Sequence, residues 1–259
     1  MKRAIGRKRR ENEAKILAAA EKVFAERGFA AATTSAIAKL AGMPKANLHY
    51  YFRTKEALYT RVLDEILALW IETAEAIRPE ADPKEALSDY IAAKIDFSRS
   101  RPQASKVFAN EILHGAPRVR RRLKGDLKTW LEAKSAVIEG WIGAGRMAKV
   151  EPKHLFFIIW AATQTYADFE VQVAALLDRR RLKASDFEAA SALLRRMVLS
   201  TCGLGDAVSS SLAAPPSLTL PRKGGEDSSE LDRSSPAPST GAGRGGGDGS
   251  LSNGLKRRR

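Results

Sequence analysis

From residue 11 to about residue 202 apolar positions recur every three or four residues, the spacing of one face of a helix, and nowhere do they alternate over the length of a strand. Ile16, Ala19, Ala20, Val23 and Phe24 predict a first helix over 11–27, stopped by Gly28, which tolerates positive φ. A short second helix starts near Thr34, an N-cap candidate, carries Ile37, Leu40 and Ala41 on one face and ends at Gly42. Pro44 suits the first turn of a third helix, and Thr54 the cap of a long fourth, whose inward stripe is Leu58, Val62, Ile66, Leu69 and Trp70 and which stops before Pro79. Two short helices joined by a glycine turn form a helix-turn-helix.

Further helices follow over roughly 83–100, 102–114, 118–143, 153–177 and 184–202. Asp82, Pro83 and Glu85 give the first of these a cap, a proline in its first turn and an acid three residues after the cap; "SDFE" at 185–188 reads as a capping box for the last. The fold class is therefore all-α: a flexible basic arm at 1–10, a three-helix unit at 11–57, and a larger helical unit at 58–203. From 204 to 259 the chain turns to Ser, Pro, Gly and mixed charge and cannot bury enough apolar surface to offset ordering. It reads as a disordered tail, its terminal "KRRR" a solvated charge run.

Charge sharpens this division. The chain carries +14 overall. Residues 1–60 hold 13 basic against 5 acidic side chains, and none of the acids lies between Arg27 and Lys55, whereas residues 61–202 hold 23 against 19. A basic face confined to the first sixty residues is the footprint of a nucleic-acid contact. The single cysteine, Cys202, forms no internal disulfide and no paired-thiol metal spacing, and the three histidines are scattered. With no nucleophile and base spacing and no phosphate-binding glycine loop between strand and helix, the sequence points away from an enzyme and calls for no metal or cofactor. The longest apolar run, "LFFIIWAA" at 155–162, falls far short of a membrane span, and the basic start leads into a charged segment unlike a signal peptide. A cytoplasmic protein is expected.

The stretch "AGMPKANLHYYFRTKEAL" at 41–58 crowds rings and cations together with no acid before Glu56. Lys45, Asn47 and His49 occupy the first turns of the third helix, where short polar side chains can reach base edges. Tyr50 and Tyr51 offer phenolic donors to phosphates, and Lys55 adds charge beside a helix N-terminus. Leu48 and Phe52, four apart, face the small core.

The string "FAERGFAAATTSAIAKLAGMPKANLHYYFRTKEALY" resembles the helix-turn-helix signature of the tetracycline-repressor (TetR) family. That resemblance implies an all-helical homodimer with a DNA-binding domain at 11–57 and a ligand-binding and dimerisation domain at 58–203. It also implies that Thr34, Lys45, Tyr50, Tyr51 and Lys55 stand where relatives contact double-stranded operator DNA.

On the predicted helix over 153–177, Trp160 and Gln164 lie four apart with Phe157 and Asp168 on the same stripe, an indole and a primary amide suited to a small planar ligand. "RSRPQASKVFANEILHGAP", "DLKTWLEAKSAVIEGWI" and "HLFFIIWAATQTYADFEVQV" resemble the pyrimidine-utilisation regulators of the family, which sense uracil and thymine. This implies that Trp70 joins the pocket and that uracil or thymine releases a repressor from its operator. Lys94, Phe108 and Glu111 fall on inward stripes, where a lone charge needs a partner or a ligand; Lys94 and Glu111 could also pair with each other. Phe187, Ala190, Leu194, Met197 and Val198 form the stripe expected to pack the dimer's four-helix bundle. Two other readings stay open, a repressor answering another small aromatic or drug-like effector and a sequence-indifferent nucleic-acid binder, whose affinity charge alone would set.

Overall fold

The structure, a computed structural model, describes residues 2–205, which are helical with no strand among them. The helices are α1 (Lys2–Ala31), α2 (Thr34–Leu40), α3 (Lys45–Tyr51), α4 (Lys55–Glu72), α5 (Pro83–Ser100), α6 (Pro102–Leu113), a single turn α7 (Arg120–Arg122), α8 (Lys128–Gly143), α9 (Pro152–Asp168), α10 (Glu170–Leu176) and α11 (Ala184–Thr201). The tail expected from residue 204 onward lies, from residue 206, outside the described residues.

The start signals act locally. Asp82 accepts from the Glu85 N–H at 3.0 Å, and Thr54 from the Ala57 N–H at 3.0 Å, each satisfying a first-turn donor. α2 is capped by Ala41 and followed by Gly42 at φ 67, a left-handed conformation in which a Cβ would be strained.

Several boundaries differ from the spacing alone. The basic arm is not separate: α1 runs back to Lys2, since Lys and Arg are good helix formers and Arg7 pairs with Glu11 one turn on. The cap of α2 is Thr33, whose hydroxyl accepts from the Ala36 N–H at 3.2 Å; Thr34 is the first helical residue. α4 stops at Glu72 rather than near Pro79 and gives way to turns. The helix expected over 118–143 begins at Arg120 and winds through a π-helical turn at Leu123–Leu127 before α8, and the one expected over 153–177 breaks at Phe169 into α9 and α10. "SDFE" is no capping box. α11 starts one residue before Ser185, and Asp186 accepts from the Lys183 N–H at 2.7 Å.

Leu48 and Phe52 are buried, as the small core requires, yet that core does not end at residue 57. Ile16, Phe24, Ile37 and Leu48 belong to one hydrophobic cluster with Trp70, Phe97, Phe108 and Val119, so α4 serves both parts of the molecule. α5, α8, α9 and α11 enclose a second cluster around Tyr90, Trp141 and Phe156. Phe187, Ala190, Leu194 and Val198 of the expected dimer stripe pack inside the subunit, because α11 lies against α5 and α9. Met197 of that stripe stays exposed, as do Leu193 beside it and Phe157 and Ile158 on α9.

Candidate functional site

α3 is held by its apolar side and shows the other to solvent. Leu48 is fully buried, while Lys45, Asn47 and Tyr50 are exposed, Tyr50 at 74%. His49 is half-buried. Tyr51 is tied down: its hydroxyl accepts from Asn12 Nδ2 of α1 at 3.2 Å, and its ring meets that of Tyr50 edge-on at 5.4 Å.

Lys55 departs from the sequence expectation. Its ammonium donates to the carbonyls of Phe29 (2.8 Å), Ala30 (3.2 Å) and Ala32 (3.0 Å) and sits 4.5 Å from the centre of the Phe29 ring. Its three donors are therefore spent on the end of α1, leaving none for a phosphate. What α4 still presents at this end is backbone: the Lys55 and Glu56 N–H groups precede the first intrahelical bond, at the positive end of the helix dipole.

The second feature is a cavity of about 480 Å³ among α4, α5, α6, the π turn, α8 and α9. Trp70, Lys94, Phe108, Trp160, Gln164 and Asp168 line it. Phe108 packs edge-on to Trp70 at 4.6 Å, and Trp130 lies tilted against Trp160 at 5.9 Å. The Trp160 indole N–H donates to the Tyr90 hydroxyl at 2.6 Å, which fixes its ring.

Two buried atoms of lining residues lack such partners. Trp70 Nε1, a donor, and Asp168 Oδ1, an acceptor, are buried with no hydrogen bond; the Ser105 hydroxyl lies near the carboxyl but closes no bond of good geometry. Burial raises the Asp168 pKa, an effect that Ser105, Lys106 and Lys94 oppose. Burial pushes the Lys94 ammonium down to about 7, with the Asp168 carboxylate acting the other way.

Glu111 and Phe157, expected at the pocket, are elsewhere. Glu111 faces the opposite side of α6, where it accepts from the Arg118 N–H at 2.6 Å and pairs with that guanidinium at 3.8 Å; it does not meet Lys94. Phe157 is 44% exposed, because it sits on the outward side of α9, and its ring meets His154 edge-on at 5.8 Å and lies tilted against Trp160 at 5.6 Å. Tyr90, Trp130, Leu123, Leu127 and Phe169 also line the cavity. The inward spacing of Tyr90, Trp130, Leu123 and Leu127 makes them look like any core residue, so the sequence held no signal that singled them out, and Phe169 is an exposed ring at the break between α9 and α10.

Comparison with known proteins identifies the family. Residues 16–62 match the family described as bacterial regulatory proteins, tetR family, and residues 63–205 match the family described as YcdC-like protein, C-terminal region. The chain belongs to the TetR family of transcriptional regulators. The HTH-type transcriptional regulator RutR of Escherichia coli strain K12 is 47% identical over 161 residues, 62% of this chain and 76% of the relative. The HTH-type transcriptional repressor NicS of Pseudomonas putida is 35% identical over 100 residues, 38% of this chain and 47% of that one. A TetR-like regulator from Rhodococcus sp. RHA1 superposes with a TM-score of 0.54 at 21% identity, over 72% of this chain and 93% of that chain, and so shares the fold.

TetR-family regulators bind operator DNA, and this one is a DNA-binding regulator rather than an enzyme. Among the described residues no helix is long and apolar enough to cross a membrane.

Proposed function

We propose that this regulator is a homodimeric repressor of pyrimidine or nitrogen metabolism genes, released from its operator when uracil or thymine enters the cavity. The observation that carries this reading is the cavity wall. It combines aromatic faces (Trp70, Phe108, Trp160) with the carboxyl-bearing Asp168 and the amide of Gln164, which both donates and accepts. The edge of uracil alternates carbonyl acceptors with an imide N–H and needs such a mixed set beneath a stacking face. The resemblance to pyrimidine-utilisation regulators supports the same class of ligand, and Lys94 adds a cationic donor for a carbonyl oxygen.

Asn47, Lys45, His49 and Tyr50 on the open side of α3 would meet the major groove, with Tyr51 and the N-termini of α2 and α4 on the phosphates. The partner subunit would cover Ile158, Leu193 and Met197 on α9 and α11, which a monomer leaves exposed. Ligand would favour an arrangement of α4 that sets the two α3 helices off the roughly 34 Å spacing of successive major grooves.

Thermal unfolding of the purified protein with uracil, thymine, cytosine and an unrelated aromatic tests the ligand class without knowledge of the operator, since a ligand bound only by the native state raises the melting temperature. A rise with uracil or thymine alone supports the reading. A rise with the unrelated aromatic alone would transfer the cavity to a different effector.

A further inference from the structure

We propose that Glu111 is the coupling residue of this regulator, a buried tie that makes α6 and the DNA-binding helices move as one. The proposal rests on the reading of the cavity as the effector site and adds how its occupancy reaches α4.

α6 is the shared wall of two spaces. Phe108, Ala109, Ile112 and Leu113 face the effector cavity. One residue over, Glu111 and His114 face a second space of about 330 Å³, whose far side is Arg27 and Phe29 of the DNA-binding unit and Tyr59 of α4; Asn110 lines both.

Glu111 is 3% exposed. A carboxylate at that depth is tolerable only while its oxygens keep donors, and here the donors come from other segments. The Arg118 N–H donates to it at 2.6 Å and the Arg118 guanidinium pairs with it at 3.8 Å, while Tyr59 of α4 lines the same space, its pKa raised by burial and then by the Glu111 carboxylate. Arg118 in turn lies over the Phe29 ring, its guanidinium carbon 3.6 Å from the centre, and Phe29 is a residue whose carbonyl holds Lys55 at the start of α4.

The physical consequence follows from the cost of breaking contact. Apolar packing can slide by fractions of an ångström at little expense, but a buried charge stripped of its donors is strongly penalised. A displacement of α6 by a filled cavity is therefore passed to Tyr59 and Arg118 rather than absorbed, and from them to α4 and the turn at Phe29. Reciprocal coupling between effector and operator needs such an element, one whose contacts both sites bias.

The test separates coupling from stability and from the identity of the effector. Ala109→Phe places a ring in the cavity as a built-in occupant. Its effect on affinity for a duplex selected by the wild-type protein from random sequence is measured in the wild-type background and in Tyr59→Phe/Arg118→Met, which removes the hydroxyl and the guanidinium that tie Glu111 to α4 and Phe29, keeps the Arg118 N–H on the carboxylate, and keeps ring and aliphatic packing. The expected result is a loss of operator affinity of tenfold or more on Ala109→Phe in the wild-type background and less than threefold in the uncoupled one, with the uncoupled protein itself binding the duplex within about threefold of wild type. An equal loss in both backgrounds, or no loss in the wild-type background, overturns the proposal. Uracil binding is read on the same proteins by thermal shift: its absence would remove the pyrimidine reading and leave the coupling result intact.

Discussion

The Lys94 ammonium of α5 lies 4.3 Å from the centre of the Trp70 ring of α4, a cation buried over an aromatic face at the wall of the cavity. Desolvation outweighs the attraction of Asp168 and brings its pKa down from the ordinary lysine value to about 7. Between pH 7 and the unfolded lysine value the unfolded chain binds more protons than the native one, so over that window this group makes stability rise with pH. Lys94→Met should accordingly stabilise the free protein at pH 7, and the difference from wild type should shrink by more than about 1.4 kcal/mol, the worth of one pKa unit, by pH 9.5. Urea unfolding at the two pH values measures it. A constant difference would place Lys94 in contact with water or another acid.

Lys55 should behave as a structural staple. Removing an ammonium that three carbonyls share leaves those oxygens to water at the end of α1, so Lys55→Ala is expected to lower stability by about 2 kcal/mol in chemical denaturation. Loss of operator affinity without loss of stability would instead return the side chain to the phosphates.

On α3, the exposed Lys45 and Asn47 have different chemistry to offer DNA. Asn47→Ala is expected to relax preference at one base pair by about 1–3 kcal/mol in a binding-site selection, the worth of a bidentate contact. Tyr50→Phe, which removes only a hydroxyl, is expected to weaken all sequences to a similar degree. Unchanged base preference in Asn47→Ala would move direct readout to Lys45 or His49.

Gln164 lines the cavity and offers both a donor and an acceptor there. Gln164→Ala should abolish the rise in melting temperature with uracil while leaving operator affinity in the ligand's absence within about twofold of wild type. A rise that persists at the same uracil concentration would assign recognition to Asp168 and Trp70 alone.

The sequence by itself determined the all-helical fold, the helix-turn-helix and most of its caps, because these depend on neighbours three or four residues apart: Asp82 on Glu85, Thr54 on Ala57, Gly42 after Ala41. It placed Trp160, Gln164 and Asp168 together for the same reason, since they sit on one stripe of one helix. Phe157 shares their approximate spacing, but a stripe wider than the cavity has an edge, and only the packing of α9 on α5 and α8 shows where it falls. The same limit hid Tyr90 and Trp130, whose inward positions match those of ordinary core rings. The fates of the charges were beyond local reading altogether. Lys55 found its carbonyls 23 to 26 residues away, Lys94 faced Asp168 rather than Glu111, and Glu111 turned from the cavity toward Arg118 and the DNA-binding unit. Periodicity fixes which side of a helix is dry, whereas the partner of a buried charge is set by which helices cross there, and that is decided only when the whole chain packs.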